Sequence, residues 1–122
     1  MAESPDLRRH APAAERNQEP IYAVLKEILP PEGTVLEIAS GTGQHAIFFA
    51  PQLAPRHWLP SDPNPVSRDS IEAWSAMAPL ASLHPPLALD MTVPDWPQQV
   101  TTWQATQGKT APPLRAIANI NM

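Results

Sequence analysis

Apolar residues recur along this chain at two alternating spacings. Ile21, Val24, Leu25, Ile28 and Leu29 fall at i, i+3, i+4, i+7 and i+8, which predicts a helix with one apolar face. Pro20 fits its first turn, and Pro30-Pro31-Glu32-Gly33 stops it. A short apolar run, Thr34–Ala39, predicts a strand. Helical spacing returns from Gly43, with Ala46, Phe49, Ala50 and Leu53 on one face and Pro51 set to kink or end the helix. Residues 56–62 predict a second strand, and Pro60 marks where regular pairing ends. Asn64-Pro65 is a helix-start signal, followed by Ile71, Trp74 and Met77 or Ala78 on one face. Residues 85–90 predict a third strand, 98–107 a weaker helix closed by Gly108, and 114–120 a fourth strand.

Strands alternating with helices predict βαβ units and a parallel sheet. The fold class expected is therefore α/β. Residues 1–12 are expected to form a flexible leader and 13–122 one domain part. A fourth strand with nothing after it to pair with predicts an exposed edge and self-association through it.

Composition narrows the classes. The chain has 122 residues, 17 prolines, 4 glycines and no cysteine. Without cysteine there is no disulfide framework and no thiolate metal site. A net charge of −4 with no basic stripe argues against tight nucleic-acid binding by this segment. No apolar run approaches the ~18 residues of a membrane span, and the polar N-terminus lacks a signal core. A cytoplasmic protein is expected. The four histidines have no metal-ligand spacing, and the four tryptophans read as packing residues. His45, one turn past the glycines, reads as either a pocket or a packing residue.

The chemistry concentrates in Glu37-Ile38-Ala39-Ser40-Gly41-Thr42-Gly43, a small-residue turn between the first strand and the second helix. Two ligand classes fit such a turn. Gly41-x-Gly43-x-x-Ala46 matches the dinucleotide fingerprint, with Asp62 near the spacing of a ribose-binding acid. That match leads to an NAD-dependent oxidoreductase. Glu37 argues the other way: a carboxylate beside the turn opposes phosphates and favours the sulfonium and ammonium groups of S-adenosylmethionine. Opposite charges ~4 Å apart interact by about 4 kcal/mol at an effective dielectric of ~20, before desolvation. Asp62 and Asp90 each close an apolar run and fall on one edge of a parallel sheet. Asp62 would accept from the ribose hydroxyls and Asp90 from the adenine amino group. Turn chemistry is the alternative for both.

Glu37–Gly43 resembles the first motif of class I S-adenosylmethionine-dependent methyltransferases, acid-x-Gly-x-Gly-x-Gly, with Ala39 in place of the first glycine. Four blocks resemble the methyltransferase-like protein 26 family and its bacterial relatives. They are Ala14-Glu15-Arg16-Asn17 with Glu19-Pro20-Ile21, then Leu36–Ala46, then Trp58-x-Pro60-Ser61-Asp62, and Asn121-Met122. The resemblance implies a Rossmann-like methyltransferase fold cut after its fourth parallel strand. It implies cofactor contacts from Glu37, Ala39, Gly41 and Gly43, a ribose contact from Asp62 and an adenine contact from Asp90. It sets Arg16 and Asn17, ahead of the first helix, over the pocket. It places Asn121 where methyl acceptors are approached. The implied cofactor is S-adenosylmethionine, with the acceptor and the catalytic residues unassigned. The competing expectation is a non-catalytic, cofactor-binding fragment.

Overall fold

The computed structural model describes residues 6–107 and 110–120. The elements run α1 (Pro12–Ile28), β1 (Thr34–Ile38), α2 (Gln44–Gln52), β2 (His57–Pro60), α3 (Pro65–Met77), α4 (Trp96–Gln107) and β3 (Leu114–Asn119). β1 lies in the middle of a three-stranded parallel sheet of order β2-β1-β3. Gly108 lies outside the described residues.

Helix α1 starts eight residues earlier than the sequence pattern predicts, at Pro12 rather than Pro20. Pro12 suits a first position because its missing N–H would have no partner there. Ala13, Ala14, Glu15 and Arg16 are good helix formers, and Glu15 complements the dipole of the first turn. Pro20 sits in mid-helix, where it removes the bond to the Arg16 carbonyl. The predicted apolar face is also only partly used. Leu25 is buried and Ile21 and Leu29 pack against the core, while Val24 and Ile28 are exposed.

The second correction concerns residues 85–90, which form no regular strand. Their stretch of chain still runs parallel to the outer edge of β2. Bridges join Trp58 to Leu83 and Ser61 to Leu87, through His84 N to Trp58 O and Leu87 N to Pro60 O, both 3.0 Å. Between the bridges stand Pro85 and Pro86, which have no N–H to donate, so the ladder is interrupted. The outer segment has one more residue between the bridges than β2 has. Just inside, the rings of His57 and His84 share a 2.8 Å hydrogen bond, with Trp103 edge-on to His84.

Side chains alternate across the sheet and divide the core. Val35, Trp58 and Ala118 face α1 and α2, where Ala46, Phe49, Ala50 and Leu53 are wholly buried. Leu36 and Leu59 face the other way, against Leu89 and Val100 of α4. α3 lies against α2. Its start is the one the sequence predicts: Asn64 Oδ1 accepts from Val66 N at 2.8 Å, and Pro65 takes the first position. Residues 6–11 run along α3, with Arg9 N donating to Ser70 Oγ at 2.9 Å and Trp74 Nε1 to Arg9 O at 3.0 Å. Among the described residues, no helix is long and apolar enough to cross a membrane.

Candidate functional site

β1 and β2 end together, with Glu37 paired to Pro60. Past that point two serines take over from the ladder. Ser61 Oγ donates to Glu37 O at 2.7 Å, Ser61 N donates to Ser40 Oγ at 3.0 Å, and Ser40 N donates to Ser61 O at 2.8 Å. These bonds keep the two chains side by side while the turn at 39–43 departs from β1.

That turn has positive φ at Ala39 (54°), Gly41 (65°) and Gly43 (91°). The left-handed conformation at Ala39 is one that glycine adopts without steric cost. Alanine there costs about 1–2 kcal/mol of backbone strain. The two glycines serve different ends. A Cβ at Gly41 would meet nothing within 4 Å, so that side of the turn is open. A Cβ at Gly43 would lie 2.7 Å from the Ile71 Cα, so Gly43 lets α2 begin against α3. Its role is packing.

A cavity of about 220 Å³ opens beside the turn, lined among others by Ala13, Glu37, Ala39, Gly41, Thr42 and His45. The small Ala13 and Ala14 let α1 close its roof. Glu37 is 2 % exposed, and Trp58 Nε1 donates to its Oε1 at 3.1 Å. Among the described residues the only ion pair joins Arg8 to Asp6, so no cation answers this carboxyl. Burial pushes its pKa up to about 7. The Asp62 charge adds to that, and hydrogen bonds from Trp58 and Ser40 oppose it. Trp58 is thus part of the site, where the sequence showed only a packing residue.

Asp62, 8 % exposed, stands behind the turn and is not in the cavity wall. Its Oδ2 accepts from Gly41 N at 3.0 Å and its Oδ1 from Asn64 N at 2.9 Å. The turn-chemistry alternative is realised, and the same carboxylate fixes Gly41. A carboxylate has about four lone-pair sites, so acceptor capacity remains. Asp90 is not brought to the cavity. It accepts from Thr92 N and Oγ1 at 2.9 and 2.6 Å, and these bonds hold its carboxyl below the usual range.

Arg16 and Asn17 lie within α1, not ahead of it, because the helix starts at Pro12. Arg16 is exposed. Asn17 reaches the site at one remove, through a 2.8 Å hydrogen bond between its Oδ1 and His45 Nε2. Its Nδ2 is buried with no partner. His45 is buried, stacks on Phe49 and is supported by the Ala14 carbonyl. Burial lowers its pKa. Held in this way, His45 shapes the cavity and ties α1 to α2. Asn121 lies outside the described residues. Among those described, no group of three or more His, Asp or Glu side chains is placed to hold a metal ion.

The structure therefore gathers Glu37, Ala39 and Gly41 in one wall, sets Asp62 and Asn17 behind it, and leaves Arg16, Gly43 and Asp90 out of it. No solved structure matches the chain. Residues 8–122 match a family described as a protein of unknown function (DUF938), and with nearly its whole length matched the chain belongs to that family.

Proposed function

We propose that this chain carries the cofactor site of a class I S-adenosylmethionine-dependent methyltransferase with a Rossmann-like fold. The observation that carries the reading is Glu37: a buried carboxyl in the cavity wall, at the carboxyl end of the central strand, with no cation paired to it among the described residues. A ligand bearing an ammonium and a sulfonium supplies the missing charge. Ligands of open α/β sheets bind at this edge.

The cofactor fits the donors and acceptors present. The side of the turn left open at Gly41 gives its backbone access, and Glu37 gives a negative site. Asp62 keeps acceptor capacity for hydroxyl donors. When bound, the group supplies an already activated methyl. The protein's task is to hold it, exclude water and align an acceptor behind the methyl carbon. α1, clamped through Asn17 and His45, covers one side of that pocket.

A dinucleotide is disfavoured on two counts. Its phosphates would face Glu37. They would also need free backbone N–H groups, which is how glycine turns at helix starts hold anions. Here Gly41 N is bonded to Asp62, Gly43 N to Ser40 O and Gln44 N to Thr42 Oγ1. Isothermal calorimetry and thermal shift with S-adenosylmethionine, S-adenosylhomocysteine and NAD test the reading. Binding of the first two and none of NAD is the expected result; a response to NAD alone overturns it.

A second reading, cofactor binding without turnover, has one observation in its favour. His45, the one imidazole lining the cavity, is already engaged with Asn17, so no free base faces the pocket from α2. A cofactor-binding chain that transfers no methyl group to any of a panel of small-molecule, protein and RNA acceptors would favour it.

A further inference from the structure

Glu37 poses a problem the cofactor reading does not by itself resolve. An ionised carboxylate that is 98 % buried and unpaired by any cation is costly, and the ordinary escape is to take up a proton. Among the described residues the surroundings of Glu37 offer it hydrogen bonds and no cation. From β2 it faces the Trp58 indole, a single neutral donor, with the Asp62 carboxyl following. From α2 it shares the cavity with His45, whose pKa burial lowers. From α1 come Ala13 and Ala14, with no charge. From the turn comes the Ser40 hydroxyl. From β3 comes Ala118 and, just past its end, Ile120, both without charge. Among the described residues, the titratable groups facing Glu37 are thus an acid and an imidazole whose pKa burial lowers.

Resting on the methyltransferase reading above, we propose that the empty site holds Glu37 as the carboxylic acid and that binding of the cationic cofactor expels this proton to solvent. One proton leaves as one ligand arrives: the Glu37 O–H bond breaks, its electron pair stays on the carboxylate, and water or buffer takes the proton. The site then accepts a cation more readily as protons become scarce. Occupancy is coupled to pH at a single residue. The level at which this happens follows from burial, since Glu37 titrates at about 7 and not in the usual carboxylate range.

The test is calorimetric titration of the intact chain with S-adenosylmethionine between pH 5.5 and 8.5, in buffer pairs of different ionisation heat. About one proton is released per ligand at pH 6, falling toward none by pH 8. Below pH 7 the affinity falls about tenfold for each unit, as linkage to one proton requires. The ligand's own amino group titrates at ~7.7–8.0, so the variants are compared at pH 6, where it is already charged in solution. Glu37→Gln abolishes the release near pH 6, and His57→Asn, an imidazole lost at the far end of β2, leaves it. Trp58→Phe, which removes a donor to the ionised form, moves the release to higher pH.

A carboxylic-acid infrared band in the ligand-free chain, titrating near neutrality and absent from Glu37→Gln, gives a second readout that needs no ligand. Binding with the same proton count in wild type and Glu37→Gln overturns the linkage and leaves the cofactor reading standing. No binding at any pH, with the infrared band present, overturns the cofactor reading instead.

Discussion

Asp62 and Asp90 occupy the same place in the sequence pattern, each an acid closing a short apolar run, yet different places in the molecule. Asp62 follows a strand that pairs fully with β1, so its carboxylate arrives at the turn in register and meets Gly41 N at 3.0 Å. Asp90 follows a stretch whose ladder is cut at Pro85 and Pro86, and it ends in a local turn with Thr92. An acid at a strand end becomes a site residue only when the strand is held by its neighbours up to that end. Two prolines are enough to remove the condition.

The comparison can be strained from either side. The largest loss of stability is expected from Gly43→Ala, on the Asp62 side. Its Cβ would lie 2.7 Å from the Ile71 Cα at a φ of 91°, so overpacking and backbone strain add to about 3 kcal/mol or more. Urea denaturation would show it, and a midpoint unchanged from wild type would mean that α2 and α3 are not locked through this position.

Glu37→Gln is expected to act in the opposite direction, and only at higher pH. The folded chain keeps Glu37 protonated up to about 7, whereas the unfolded chain releases that proton near the model value of 4.5. Between those values the folded state binds more protons, so this carboxyl's contribution weakens as pH rises. Glutamine has nothing to ionise. The variant should exceed wild type by about 3 kcal/mol at pH 8 and match it at about pH 4, read from denaturation curves at both pH values.

Asp62→Ala, beside Asp90→Ala, tests the contrast itself. Loss of Asp62 leaves the Gly41 N–H without its acceptor and costs about 1–3 kcal/mol together with cofactor affinity. Loss of Asp90 should leave the melting temperature and the affinity near those of wild type. Equal losses would abolish the distinction drawn between the two acids. The smallest effect is expected from Ala39→Gly. It relieves the left-handed strain at φ 54° while loosening the unfolded chain, for a net gain of about 0.5 kcal/mol in thermal melts.

Much of the fold could be read from local signals. The buried stripe of α2, Asn64 as the cap of α3 and the apolar run of β1 each follow from a few adjacent residues. The start of α1 was hidden because Pro12 and Pro20 are equally good first-position prolines. Only the packing of Ala14 under the turn, a long-range contact, decides between them. Residues 85–90 misled because apolar content gives no account of missing N–H groups until the partner strand is known. In the site, Glu37 was legible as a charge near the turn. The Trp58–Glu37 bond, the Ser40–Ser61 stitching and the Asn17–His45 clamp join residues 21 to 28 positions apart and leave no local trace.

The Trp58 indole lies in the middle of the larger core cluster with 1 % of its surface exposed, and its N–H ends on the one carboxyl whose charge the ligand is proposed to change. Whatever alters that carboxyl alters the electric field across the ring. The core thus contains its own optical gauge, a chromophore shielded from water and wired by one hydrogen bond to the cavity. Its share of the emission, isolated from that of Trp74, Trp96 and Trp103 by difference against Trp58→Phe, is expected to follow filling and emptying of the site without any label.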